Sequence, residues 1–98
     1  KFISPEKPAT GLILAWNNNR LRATYRYDDR LEHDATLPQV IGKRAITELR
    51  HLAGIGPDAW HEVQEGRIKG LEGTPVNLRV TTIPTSDGIA VVVDLLES

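Results

Sequence analysis

Residues 20–27 read Arg-Leu-Arg-Ala-Thr-Tyr-Arg-Tyr, and their strict alternation constrains the first half of the chain more than any other feature. Leu21, Ala23, Tyr25 and Tyr27 fall on one side, with Arg20, Arg22, Thr24 and Arg26 on the other. A period of two belongs to a β-strand with one buried face. Upstream, residues 12–16 are a short apolar run followed by Asn17, Asn18 and Asn19. Asparagine tolerates left-handed backbone, so these residues predict a tight turn and a hairpin. Asp28-Asp29 predicts a second turn. Residues 30–35 alternate again, with Leu31, His33 and Ala35 opposite Arg30, Glu32 and Asp34. A three-stranded antiparallel meander follows, with His33 as a satisfied core histidine.

The period then changes. Ile41, Ala45, Leu49 and Leu52 recur at helical spacing, with Ile46 and Ala53 beside them. Thr36 and Gln39 have the spacing of a capping box, Pro38 suits a first turn, and Gly54 followed by Pro57 is a stop signal. The spacing predicts one helix over 37–53. Residues 58–63 read as a helical turn or irregular connection, with Trp60 plugging the edge of the core. Three more strands follow, over 67–71, 76–83 and 89–96, separated by turns at 72–73 and 84–88. In the second of these, Val76, Leu78, Val80 and Thr82 share a face. The last is nearly all apolar, which suits the interior of a sheet. Residues 1–10 hold Phe2 and Ile3, then Pro5 and Pro8, and read as an edge-strand stub and a stiff loop. Short connections between consecutive strands permit only antiparallel neighbours. The predicted class is α+β, an antiparallel sheet with one main helix packed on one face.

Ninety-eight residues, 40% hydrophobic and 26% charged, suit a single globular domain over 1–98. A net charge of −1 lacks the basic footprint of a duplex nucleic-acid binder. There is no cysteine, which excludes disulfides, a thiolate nucleophile and cysteine-bound zinc and fits a reducing cytosol. No apolar run approaches the ~20 residues of a membrane span, so no direct membrane insertion is expected. The chain opens at Lys1 and not at methionine, which leads us to expect an excised piece of a longer protein.

No complete catalytic site can be read. Gly42-Lys43 is not a phosphate-binding loop, because Leu37 and Arg44 stand where glycine and a hydroxyl are required. Gly54-Ile-Gly56 lacks the third glycine of a dinucleotide fingerprint, Ala59 being in its place. His33, His51 and His61 have no zinc-ligand spacing, so no metal site is expected. Asp28 and Asp29 read as turn formers rather than a paired acid and base, and no serine is paired with a histidine. Arginine is the residue type left. Arg67 follows Gln64-Glu65-Gly66, and Arg79 lies between Asn77 and Thr81 on the polar side of its strand. A guanidinium on a strand face bonds phosphate oxygens in pairs, although a solvated surface arginine is the default.

Three stretches carry a resemblance. Tyr25-Arg-Tyr-Asp-Asp-Arg-Leu31 resembles the Tyr-Arg-Ile-Asp-Gly-Val-Leu hairpin of the secretion ATPase superfamily. Glu48-Leu-Arg-His-Leu-Ala-Gly54 and Gln64-Glu-Gly-Arg-Ile68 are similar to its Ser-Arg-Ile-Lys-x-x-Ala-Gly helix end and its Gln-Asp-Gly-Arg. Val76-Asn-Leu-Arg-Val-Thr-Thr-Ile-Pro-Thr-Ser-Asp-Gly88, with 91–96 after it, is similar to Val-Asp-Leu-Arg-Val-Ser-Thr-Leu-Pro-Thr-x-x-Gly-Glu running into Val-Val-Leu-Arg-Leu-Leu. The resemblance is to the domain that precedes the RecA-like motor in type II secretion and type IV pilus assembly ATPases.

It implies a PAS-like sheet packed on a neighbouring motor domain within a hexamer. It also implies that Arg67 and Arg79 approach the nucleotide phosphates of that neighbour, in trans. ATP and Mg would belong to the parent protein and not to this stretch, which is not itself an enzyme. Partners would be the motor domain and other secretion or pilus machinery. The implied location is cytoplasmic, at the inner-membrane face through partners. Departures are Asp29 for the turn glycine, Ile89 for the glutamate after Gly88, a shorter loop between Arg67 and Arg79, and Asp94 for the arginine before the final leucines. They leave two alternatives open. One is a degenerate homologue serving as an interaction module without nucleotide, and the other is a PAS-like ligand-binding domain.

Overall fold

A computed structural model describes residues 9–28, 30–56, 61–70 and 77–96. The elements run β1 (Gly11–Asn17), β2 (Arg20–Arg26), β3 (Leu31–Leu37), α1 (Gln39–Leu52), β4 (Gln64–Lys69), β5 (Asn77–Thr85) and β6 (Gly88–Leu96). The strands form one antiparallel sheet in the order β3-β2-β1-β6-β5-β4. Each half of the chain is a three-stranded meander, and the two join where β1 pairs with β6. The helix connects the two outermost strands and crosses one face. The α+β class and single main helix are as the sequence predicts, and β6 lies in the sheet interior between β1 and β5. Among the described residues no helix is long and apolar enough to cross a membrane.

The β1–β2 hairpin turns on Asn18 and Asn19, at φ 53° and 62°. Two consecutive left-handed residues match the twist of the flanking strands. The expected face of β5 also holds, since Leu78 packs on the core and Val80 and Thr82 are buried. The expectations for Phe2 and Ile3, Trp60, and the turn at 72–73 lie outside the described residues.

The core is one-sided. Its buried apolar members are Leu14, Leu21, Ala23, Val80, Val91 and Val93 from the sheet, with Ile46 and Ala53 from the helix and the turn after it. Strand register puts all six sheet residues on the helix side. Gly42 sits over Leu21 and Trp16, where a Cβ would stand 2.8 Å from Leu21 Cβ and 3.0 Å from Trp16 Cη2. The missing side chain lets the helix lie close to β2.

Four sequence expectations need correction here. The helix begins at Gln39, because Leu37 is still paired with Leu21 in β3. Pro38 is the N-cap with no side-chain capping bond, so Thr36 and Gln39 do not form a capping box. The helical stripe is also rotated. Gly42, Ile46 and Arg50 are buried, while Ile41 and Leu52 are each 54% exposed. Finally, His33 is exposed. The register of β2 and β3 shifts between Ala23 and Thr24, whose partners are Ala35 and His33. Residue 34 is the extra residue of a bulge, so His33 and Ala35 face opposite sides. His33 Nε2 is instead within 3.0 Å of the Ala35 carbonyl and 3.1 Å of Thr36 Oγ1.

The helix C-terminus is closed as the glycine signal predicts. Gly54 has φ 73°, its N–H donates to the His51 carbonyl at 3.1 Å, and Ile55 N–H donates to the Arg50 carbonyl at 2.9 Å. Arg50, only 3% exposed, ties this end to the sheet. Its Nη2 donates to the Gly56 carbonyl at 2.8 Å and to Gln64 Oε1 at 3.1 Å, and its Nη1 to Thr82 Oγ1 at 3.4 Å.

Candidate functional site

The sheet face away from the helix is uncovered among the described residues. Ile13, Ala15, Thr81, Ile83, Ala90 and Val92 form its half-buried centre. The alternation of β2 and β4 sends Arg20, Arg22, Arg26, Arg67 and Lys69 to this side, along with Arg79 of β5. The carboxylates on this face of β4 and β6 are Glu65 and Asp94. A chain of net charge −1 thus presents a strongly cationic sheet surface.

Arg67 and Arg79, the two predicted site residues, are directly opposite each other in the β4–β5 ladder. Like charges opposite one another destabilise a bare sheet pair. Such a pair is stable when an anion or solvent screens it. Arg67 is exposed and has no hydrogen bond or ion pair among the described residues. The position before it, Gly66, explains how β4 reaches its place. A Cβ on Gly66 would run into the Ala53 carbonyl oxygen, so glycine is what lets β4 slide under the helix end.

The ladder continues past Arg79. Arg79 is opposite Asp94, Asp94 is opposite Gly11, and Gly11 is opposite Arg26. One row across five strands therefore reads Arg67, Arg79, Asp94, Gly11, Arg26. Arg79 Nη2 donates to Asp94 Oδ2 at 3.2 Å, and Arg26 Nη2 donates to Asp94 Oδ1. The Asp94 side chain is 14% exposed, against 40% and 41% for Arg79 and Arg26. Burial pushes the Asp94 carboxyl up, but hydrogen bonds and charge from Arg26 and Arg79 outweigh it and hold the group below its ordinary value.

Sequence reasoning found Arg67 and Arg79 but did not connect Arg26 with them. It marked Asp94 only as a departure. The alternation of 20–27 already put Arg26 on the polar side. Its meeting with Asp94, 68 residues away, depends on β1 pairing with β6, which no local pattern encodes.

A separate cleft of about 330 Å³ lies on the helix side, lined by Trp16, Asn19, Gln39, Lys43, Asp87 and Ile89 among others. Neither predicted arginine reaches it. Among the described residues no group of three His, Cys, Asp or Glu side chains is placed to hold a metal ion.

Over 80 residues, 81% of the chain, the sequence is 31% identical to type II secretion system protein E of Xanthomonas campestris pv. campestris. The chain is homologous to part of a type II secretion protein E. It spans about one-seventh of that relative, 14% of its length. No family model matches the chain. This finding agrees with the resemblance to secretion ATPases carried by the hairpin around Asp28, the Gln64–Ile68 stretch and β5. The protein E relationship concerns a short stretch of the relative. It names the secretion apparatus and leaves the chemistry of the row to be argued from its geometry.

Proposed function

We propose that this chain is an accessory domain of a type II secretion or type IV pilus assembly ATPase. It packs on the motor domain of a neighbouring subunit in a hexamer and brings Arg67 and Arg79 to the nucleotide phosphates there. The single observation that carries this reading is the Arg67–Arg79 pair, directly opposite each other on a cationic sheet face that no described residue covers. Two adjacent guanidiniums, of which only Arg79 is paired with a carboxylate among the described residues, favour a multiply charged oxyanion. Positive charge close to a transferred phosphoryl group stabilises the transition state without further chemistry from the domain. ATP and Mg would be held by the motor. The domain would work in the cytoplasm, at the inner-membrane face through secretion partners.

The test is ATP turnover by the full-length protein that carries this chain. Arg67→Ala and Arg79→Ala should each lower kcat without unfolding the domain. Unchanged turnover in both would leave the two arginines as surface charges.

The ion pair between Arg79 and Asp94 favours a second reading, in which the domain positions partners without touching nucleotide. There, the same substitutions would weaken assembly and leave turnover per assembled motor unaltered.

A further inference from the structure

We infer that Arg26 is a third phosphate contact of this face and that Asp94 is its resident counter-anion, displaced when a polyphosphate binds. The inference rests on the proposed nucleotide reading and adds a residue and a mode of regulation to it.

Asp94 offers one carboxylate oxygen to each of two guanidiniums, Oδ1 to Arg26 and Oδ2 to Arg79. A phosphate presents paired oxygens to arginines in the same manner. Asp94 therefore occupies, between the two arginines, the position that a phosphate group would take. Arg26 reaches it only because Gly11 stands between them in the row. A Cβ at Gly11 would lie 2.9 Å from Arg26 Nη2 and 3.1 Å from Arg26 Cζ. The row is thus built to bring Arg26 across β1 to the β5–β6 side.

Arg26, Arg79 and Arg67 carry three positive charges along one ladder row, and Asp94 cancels one. The two arginines bound to Asp94 are still two-fifths exposed, so an incoming anion has access to both. A triphosphate exceeds a single carboxylate in charge and in acceptor oxygens, so it competes for the same donors. A monoanion does not. Asp94 consequently sets a threshold: weak anions leave the row closed on itself, and a polyphosphate opens it.

The test uses inorganic tripolyphosphate as the probe and calorimetric titration of the 98-residue chain at low salt, with circular dichroism melts confirming that each variant is folded. Asp94→Asn removes the competitor and should tighten binding about tenfold, from the Coulomb cost of one like charge at contact distance. Adding Arg26→Gln to Asp94→Asn should reverse most of that gain, and so should adding Arg79→Gln. Should Asp94→Asn not fold, Arg26→Gln alone still decides, because it should weaken binding several-fold. Unchanged or weaker binding in folded Asp94→Asn overturns Asp94 as the competitor. Binding indifferent to Arg26→Gln overturns Arg26 as a contact. Turnover of the full-length protein reads the nucleotide proposal separately, so the two can fail independently.

Discussion

Gly66 positions Arg67 by having no side chain. Its Cα passes so close to the Ala53 carbonyl that Gly66→Ala must push β4 away from the helix end. We expect Gly66→Ala to destabilise the domain by about 1–3 kcal/mol in urea unfolding, the usual cost of overpacking. Arg50 is the second residue on which this corner depends. Arg50→Met keeps most of the volume but leaves Gln64, Thr82 and the Gly56 carbonyl short of a donor. A loss of about 2–4 kcal/mol is expected by the same measurement. Asp94 adds a pH dependence whose sign is fixed. Its folded pKa lies below its ordinary value, so its contribution is complete above the unfolded value, about 4, and is lost as the pH falls through the lower folded value. The stability difference between the parent chain and Asp94→Asn should therefore be constant near neutrality and shrink on acidification below about pH 4. Gly66, Arg50 and Asp94 all fell within motifs in the sequence. The burial of Arg50 was not legible there, since burial of a charge is decided by distant partners such as Gln64 and Thr82.

Among the elements, strands were legible and the helix face was not. Alternation in β2 needed only a period of two. The three asparagines announced a left-handed turn, which Asn18 and Asn19 provide. Such turns favour glycine at the second position, so Asn19→Gly should stabilise the hairpin by about 0.5 kcal/mol in thermal unfolding. A loss of stability would mean that the Asn19 side chain matters to the cleft it lines. The helix was harder because its apolar residues spread over more than one face. Ile41 and Leu52 look like core by type. Gly42 and Arg50 occupy the core by position. The bulge at residue 34 escaped for a related reason. Nothing in Glu32-His-Asp-Ala35 marks which residue drops out of the ladder, and one extra residue reverses which side His33 faces.

At the scale of the molecule, the two meanders meet along β1 and β6, and that single junction assembles a row of charges from both ends of the chain. Among the described residues the helix covers one face and nothing covers the cationic one. The proposed function reads this arrangement as half of a site completed by another domain. The most direct measurement is steady-state ATP turnover by the full-length protein, comparing the parent with Arg79→Ala and Arg67→Ala at equal degrees of assembly. With Arg67 and Arg79 at the phosphates, kcat should fall by about 10- to 100-fold in each variant, and less in Arg79→Ala, where Asp94 competes for the guanidinium. Turnover equal to the parent in both variants would contradict that placement.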